Sequence, residues 1–286
     1  MRLGNDVVDL GEAARPPSAR FRQRVFTAHE LAYVDRAADS HQALWALWAA
    51  KESAFKIVRK WDEYAVFAHS QFVVTAPDVL IDGAVGEITF GMHRFKALWT
   101  IASDEAWMHC SAWGPVQLNG HGESNPSSSD AATDSSEAEP GITVHHRVAR
   151  VLSRPTAYAH SFTERLPGDA LSPADLSGTY LSIPPLSSAQ LSPAEHASTH
   201  SPSSVQVRLL ARQLCHETLG IPDLRILRRP RAGGGWSAPA AYRHEDDSEP
   251  VAELSLSHDG QFVAAAVLAE PAFAATPSQT RGPTRA

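Results

Sequence analysis

The chain has 286 residues and a formal net charge of −7, and 43% of its residues are hydrophobic. This length and composition predict one globular unit of about 200 residues interrupted by long polar inserts. The two cysteines, Cys110 and Cys215, are too few for a disulfide framework or a cysteine metal site. The sequence shows neither a signal peptide nor an apolar run of membrane-spanning length, so we expect a cytoplasmic protein.

An acidic residue stands in the apolar segment that opens the chain. Residues 4–10 are Gly-Asn-Asp-Val-Val-Asp-Leu, in which Val7, Val8 and Leu10 form a short predicted strand with Asp6 near its start. A buried carboxylate is unfavourable unless a positive group meets it. Asp6 therefore either caps this strand or faces a cation.

A basic patch precedes a helix start signal. Thr27 and Glu30 have the spacing of a capping box. The patch consists of Arg15, Arg20, Arg22 and Arg24. It suits an acidic protein partner, because opposite charge guides encounter and orientation. Nucleic acid is disfavoured as a partner because basic and aromatic residues do not interleave.

Lysine is concentrated in one segment. The chain has four lysines against twenty-one arginines, and three of the four are Lys51, Lys56 and Lys60. A compact ammonium with an adjustable pKa differs from the fixed fork of a guanidinium. This concentration indicates phosphate chemistry.

Hydrophobic spacing predicts an amphipathic helix from Leu44 to Val58. Lys51 lies in the middle of its apolar side, and Glu52 and Lys56 lie along the edge. In one interpretation, Glu52 is a metal ligand between two phosphate-binding lysines. In the other, Glu52 and Lys56 form an ordinary ion pair worth about 0.2–0.5 kcal/mol, and Lys51 extends past the core to solvent.

The middle of the chain changes character. Residues 71–113 contain apolar runs separated by turn residues and predict a small antiparallel sheet. We therefore assign residues 1–113 to an N-terminal lobe. Residues 114–204 are rich in Ser, Pro and acidic residues, so we expect a mostly disordered insert, with partial order between residues 144 and 165.

A second ordered block covers residues 205–270, and residues 271–286 form a predicted disordered tail. The block opens with a helix that ends at Gly220. A basic stretch and the glycines at 233–235 follow. These glycines either let backbone amides approach a phosphate or form a flexible hairpin loop, and the pattern favours the loop. The segment 254–267 predicts a hairpin turning at Asp259 and Gly260, with His258 at the end of its first strand.

Together these segments resemble the 4'-phosphopantetheinyl transferase superfamily. Residues 4–10 are similar to its first motif, residues 48–56 (Trp-Ala-Ala-Lys-Glu-Ser-Ala-Phe-Lys) to its W-x-x-K-E-[AS]-x-x-K motif, and residues 255–258 (Ser-Leu-Ser-His) to its S-x-S-H motif. The resemblance covers residues 3–60 and 205–268. The motif order is that of the holo-acyl-carrier-protein synthase branch, although members of that branch are about half as long and trimeric.

The resemblance implies a site and an activity. Asp6 and Glu52 would hold Mg²⁺, and Asp9 would support the site without binding the metal. Glu52, Lys56 and Lys51 would be catalytic, with Glu52 or a metal-bound water as the base and both lysines on phosphates. Coenzyme A, the co-substrate, would contact the lysines and the pair Ser257 and His258, with His258 near its 3'-phosphate.

The implied reaction transfers the 4'-phosphopantetheine arm of coenzyme A to a serine of an acyl or peptidyl carrier protein and releases adenosine 3',5'-bisphosphate. The implied fold is α+β, with two lobes that each pack a long helix on a small antiparallel sheet, in a monomeric pseudo-dimer. Two alternatives are a non-catalytic module that binds a carrier protein and, more remotely, a pyrophosphohydrolase. The sequence does not identify the carrier, the pathway or the preference between Mg²⁺ and Mn²⁺.

Overall fold

Two lobes, each a five-stranded antiparallel sheet with one long helix, make up the fold. The computed structural model describes residues 1–14, 16–75, 78–115, 143–151, 157–165, 179–183, 191–197, 199, 201–231 and 234–269. The predicted α+β class, with a long helix on a small antiparallel sheet in each lobe, is confirmed.

The N-terminal lobe holds the first sheet, whose strand order is β1-β5-β4-β3-β2. In chain order its elements are β1 (Arg2–Asp9), α1 (Ala19–Val25), α2 (Ala28–Arg36), α3 (Ser40–Trp61), β2 (Phe72–Thr75), β3 (Val85–Phe90), β4 (His93–Ala102) and β5 (Trp107–Gly114), with short 3-10 helices at Glu12–Ala14 and His69–Gln71. The small sheet expected over residues 71–113 is therefore present. Its edge strand β1 comes from the start of the chain and pairs with β5.

Helix α3 forms because local signals and packing agree. Asp39 caps its start by accepting a hydrogen bond from the Gln42 amide. Its apolar side packs against β1 and β5. The helix crosses β1 at Gly4, where an added Cβ would lie 1.9 Å from the Ser53 carbonyl oxygen. Gly4 thus lets the helix and strand approach closely, which brings Glu52 and Lys56 beside Asp6.

The C-terminal lobe holds the second sheet, whose strand order is β11-β12-β6-β7-β8. Its elements are β6 (Thr143–Arg150), β7 (Ala157–Arg165), β8 (Thr179–Ile183), α4 (Pro193–Ala197), α5 (Pro202–Leu219), β9 (Arg225–Leu227), β10 (Ala240–Tyr242), β11 (Glu253–Asp259) and β12 (Phe262–Ala269). Strands β9 and β10 form a separate pair. Helix α5 starts after its cap Ser201 and ends at Gly220, whose φ of 65° favours glycine.

The second sheet extends into the segment that the sequence assigns to the insert. Strand β6 lies between β12 and β7, in the middle of that sheet. Its polar residues His146 and Arg147 are buried, and they obscure the alternation of Val144 and Val148 that marks a strand. The C-terminal lobe therefore begins before residue 205. Residues 116–142, 166–178, 184–190 and 270–286, about which disorder was expected, lie outside the described residues.

The two sheets face each other through an interface that is apolar at both ends and polar in the middle. Two apolar clusters, around Leu3 and around Val7, combine residues of β1, β4 and β5 with residues of β6 and β12. The polar middle, which we call the interlobe polar cluster, consists of Asn5, Thr100, His109, Ser111 and His146, all buried. The rings of the two histidines are 4.9 Å apart. Burial lowers the pKa of His146 to about 3 and that of His109 well below its usual value, so both imidazoles are neutral.

Two further observations complete the fold. Cys110 and Cys215 are buried free thiols, and burial raises the pKa of Cys215 to about 12. Within the described ranges, no helix combines the length and apolar character needed to cross a bilayer.

Candidate active site

The lobes meet where the edge strands β1 and β11 run side by side. Side chains of β11 accept hydrogen bonds from the outward-facing backbone amides of β1, one for every second residue. The pairs are Leu3 N–Glu253, Asn5 N–Ser255, Val7 N–Ser257 and Asp9 N–Asp259, at 3.3, 2.9, 3.2 and 2.9 Å. We call this set the side-chain ladder. Because side chains satisfy the exposed edge of β1, the ladder fixes the register between the lobes.

Lys60 closes the ladder at one end. Its ammonium donates to the carbonyl oxygens of Leu3 and Leu254 and to the carboxylate of Glu253, which also accepts from Arg2. Burial lowers the pKa of Lys60, while the nearby Glu253 charge opposes that shift. Lys60 therefore ties α3 to both edge strands.

Asp9 closes the ladder at the other end. Its buried carboxylate accepts from the amides of Gly11, Glu12 and Gln261. Gly260 has a φ of 49°, and a Cβ there would lie 2.2 Å from Asp9 Oδ2. Each described hydrogen bond to this carboxylate thus comes from a backbone amide.

Between these ends, Asp6 faces a cation and a hydroxyl. Its Oδ1 accepts from Lys56 Nζ at 2.9 Å and from Ser257 Oγ at 2.7 Å. Lys56 also donates to the Asn5 carbonyl oxygen at 2.7 Å. This geometry agrees with the interpretation in which Asp6 faces a cation. The ion pair of Lys56 is with Asp6.

Glu52 lies one helical turn before Lys56 and close to Asp6. Burial raises the pKa of Glu52 to about 7, repulsion from Asp6 adds to the rise, and Lys56 opposes it. Two carboxylates that repel each other in a partly buried place favour either a proton or a cation between them.

A cavity of about 400 Å³ opens on one side of Glu52. Its polar wall holds four carboxylates and an imidazole, contributed by Asp6, Glu12, Glu52, Asp259 and His258. Its aromatic wall consists of Phe21 and Trp48, whose ring centroids are 5.3 Å apart, together with Trp45. We call this the acidic cavity.

A second cavity of about 300 Å³ is also lined by Glu52. Its lining includes Lys56, Arg59, Arg228, Arg231, Trp236 and Pro239. Neighbouring positive charges from Arg59 and Arg231 add to burial in lowering the pKa of Arg228. We call this the basic cavity, and its crowded positive charge favours a polyanion.

Lys51 does not join these residues. Its side chain is fully buried, its ammonium lies 2.9 Å from the Glu30 carboxylate, and it also donates to the carbonyl oxygens of His69 and Phe72. Neither cavity includes Lys51. The family motif implies that this ammonium binds phosphate, and the alternative interpretation has it reach solvent. In this arrangement it does neither. We assign Lys51 to the fold.

The motif residues of β11 divide into two roles. His258 is exposed and lines the acidic cavity, where the resemblance has it contact coenzyme A. Ser257 is buried, and its hydroxyl is already engaged with the Val7 amide and Asp6. Its hydroxyl group thus donates its proton to Asp6.

The basic patch is partly helical. Arg20, Arg22 and Arg24 lie on α1, whereas Arg15 is outside the described residues. Arg22 pairs with Asp35, and the following helix α2 begins with the predicted capping box. Phe21, on the same helix, belongs to the aromatic wall, so the patch borders the acidic cavity.

Gly234 and Gly235 of the glycine-rich segment form hydrogen bonds with Arg231. Gly234 donates to the Arg231 carbonyl oxygen, Arg231 donates back to Gly235, and both glycines have positive φ. The loop holds Arg231 and Trp236 at the rim of the basic cavity.

A Mg²⁺ site is compatible with this chemistry. Asp6 and Glu52 supply the carboxylate oxygens that Mg²⁺ prefers, and the adjoining basic cavity leaves room for phosphate oxygens as further ligands. Over the described residues, no group of three or more His, Cys, Asp or Glu side chains is arranged to hold a metal ion.

Several site features escape the sequence. The side-chain ladder and the hydrogen bonds of Lys60 join residues that are distant in the chain. Glu12 likewise meets His258 in the lining of the acidic cavity. The arginines of β9 and its loop stand out in the sequence only as a basic stretch. Their convergence with Arg59 depends on the packing of the two lobes.

Comparison with known families agrees with this geometry. Residues 2–101 match the model of the 4'-phosphopantetheinyl transferase superfamily, so the predicted resemblance is confirmed over that part of the chain. The matched region contains Asp6, Glu52 and Lys56 and ends within β4. No curated protein matches the chain.

Proposed function

We propose that this protein transfers the 4'-phosphopantetheine arm of coenzyme A to a serine of an acyl or peptidyl carrier protein, releasing adenosine 3',5'-bisphosphate. The superfamily that residues 2–101 match acts on carrier proteins with coenzyme A. The observation that carries the proposal is the meeting of Asp6, Glu52 and Lys56 at the boundary between the acidic and basic cavities.

The two cavities suit the two ends of coenzyme A. The pyrophosphate would lie at Lys56, with the charged nucleotide in the basic cavity, where Arg59, Arg228 and Arg231 offer donors for phosphate oxygens. The uncharged pantetheine arm would then extend along the aromatic wall of the acidic cavity. His258 lines the acidic cavity, so in this placement it would lie beside the pantetheine arm rather than at the 3'-phosphate that the resemblance implies.

Asp6 and Glu52 would hold Mg²⁺, which, when bound, neutralises charge on the pyrophosphate. Glu52 accepts the proton of the attacking serine hydroxyl. As the serine oxygen bonds to the phosphorus that carries the arm, the bond to the bisphosphate breaks, and Lys56 stabilises the charge on the departing phosphate.

The acceptor would dock beside the aromatic wall. Arg20, Arg22 and Arg24 on α1 give this side of the molecule a positive face next to the cavity. An acidic carrier protein complements it. The two lobes within one chain support a monomeric pseudo-dimer.

Intact-protein mass spectrometry tests the proposal. A panel of apo carrier proteins is incubated with the protein, coenzyme A and Mg²⁺, with Glu52→Ala as the inactive variant. The expected result is a mass gain of one phosphopantetheine arm that Glu52→Ala abolishes. Carrier binding without any mass gain would instead support the non-catalytic module, and cleavage of coenzyme A without carrier modification would support a hydrolase.

A further inference from the structure

The hydrogen bonds on Asp6 are unevenly distributed between its two oxygens. Both described bonds, from Lys56 Nζ at 2.9 Å and from Ser257 Oγ at 2.7 Å, fall on Oδ1. The Asp6 side chain is 13% exposed and lines the acidic cavity, so Oδ2 is the oxygen available to a ligand there. Something must keep the carboxylate from rotating, because the two oxygens of a carboxylate are otherwise equivalent.

Ser257 is suited to hold this orientation. A hydroxyl has one proton to donate and two lone pairs that accept. The Val7 amide donates to Ser257 Oγ at 3.2 Å, which leaves the hydroxyl proton for Asp6 Oδ1. Ser257 is 6% exposed on a strand that the side-chain ladder holds in register with β1.

Lys56 is less suited to the same task. Its side chain is 29% exposed, and it also lines the basic cavity. An ammonium on a flexible stem moves toward phosphate oxygens when they arrive. Ser257 lines neither cavity, so coenzyme A bound there would not compete for its bond to Asp6.

We propose that Ser257 is a positioning residue that fixes Oδ1 of Asp6 against β11 and thereby keeps Oδ2 available to a divalent cation. The inference rests on the proposed function in taking a cation to be part of the site. It gives the second serine of the Ser-x-Ser-His segment a task toward Asp6 in place of direct contact with coenzyme A.

Ser255 provides a matched control. It occupies the previous rung of the ladder and accepts from the Asn5 amide at 2.9 Å, but it makes no hydrogen bond to Asp6. Ser255→Ala and Ser257→Ala therefore each remove one rung, and only Ser257→Ala also removes a hydrogen bond to Asp6.

The test measures Mn²⁺ binding to the full chain by electron paramagnetic resonance of the free ion, without coenzyme A or carrier protein. Loss of a hydrogen bond that orients a metal ligand weakens metal binding about 10- to 100-fold. We expect Ser257→Ala to raise the Kd for Mn²⁺ by that factor and Ser255→Ala to leave it unchanged. Ser257→Cys, which keeps the size with a weaker donor, should give an intermediate Kd and carries the test if Ser257→Ala does not fold.

Equal weakening by the two alanine variants would overturn the proposal, because the serines would then act only through the fold. Unchanged binding in Ser257→Ala, or no Mn²⁺ binding by the unaltered protein, would overturn it as well. A selective effect of Ser257→Ala in a protein that modifies no carrier would support the positioning role and refute the transferase. Where transfer occurs, the Mg²⁺ concentration for half-maximal rate should rise in Ser257→Ala, with the maximal rate restored at saturation.

Discussion

Replacing Lys51 separates its structural role from the phosphate role that the motif implies. Lys51→Met removes the ammonium and leaves the Glu30 carboxylate, which is 1% exposed, without its counter-charge. Two carbonyl oxygens, those of His69 and Phe72, also lose their donor. Breaking a buried ion pair on one side costs about 3–5 kcal/mol. For a fold of this size, the melting temperature should fall by roughly 6–20 °C.

The partner substitution checks the cause. Glu30 also accepts from the amides of Thr27 and Val74, and a glutamine there can retain part of this bonding without the charge. We therefore expect Glu30→Gln combined with Lys51→Met to be more stable than Lys51→Met alone. Urea unfolding followed by tryptophan fluorescence gives the free energies of unfolding.

The same variants test the kinetic expectation. In the folded fraction, Lys51→Met should bind coenzyme A with an unchanged KM, because the ammonium lies outside both cavities. Near-native stability together with a large rise in KM for coenzyme A would refute the structural assignment and restore Lys51 to the phosphates.

Two further predictions concern the basic cavity and the interlobe polar cluster. Arg59→Ala and Arg231→Ala should each raise the KM for coenzyme A about 10- to 100-fold with little change in kcat, because each removes a charged hydrogen-bond donor. Arg94→Ala removes an exposed arginine that pairs with Glu87 on β3, outside both cavities. It should change neither KM nor kcat in the same steady-state assay. His146 stays neutral when folded, whereas in the unfolded chain it takes up a proton below its ordinary pKa of 6.5. The contribution of His146 to the free energy of unfolding is thus fully present above pH 6.5. It falls as the pH is lowered toward 3, by up to about 1.4 kcal/mol per pH unit. Urea unfolding between pH 5 and 7 should show a shallower pH dependence for His146→Gln than for the unaltered protein, and equal slopes would contradict the buried neutral imidazole.

Local patterns in the sequence were sufficient for much of the site. Asp6 in an apolar strand and Glu52 beside Lys56 on one helix edge depend on short periodicities, and the structure brings all three together. The hairpin turn at Gly260 likewise follows from local turn chemistry. These assignments to a strand, a helix and a turn agree with the structure because each depends on residues that are neighbours in the chain, whereas the meeting of Asp6 with Lys56 joins distant parts of the chain.

Other features could not be derived in this way. Strand β6 reaches β11 and β12 by pairing with β12, more than a hundred residues later, and its buried polar residues hide the strand pattern. Lys51 looks like part of the motif, yet the side on which its ammonium finds a partner depends on where α2 packs. Spacing along one helix does not contain that information.

The sequence alone determined that a carboxylate and a lysine share one edge of α3, and that an aspartate opens the chain in a strand, because both facts depend on local geometry. Only the tertiary structure decided what each lysine of α3 contacts. Lys56 pairs with Asp6 on β1, and Lys60 donates hydrogen bonds to both edge strands. Lys51 pairs with Glu30 in the core. The physical reason is that the environment of an ammonium is set by the elements packed around its tip, and these come from distant parts of the chain.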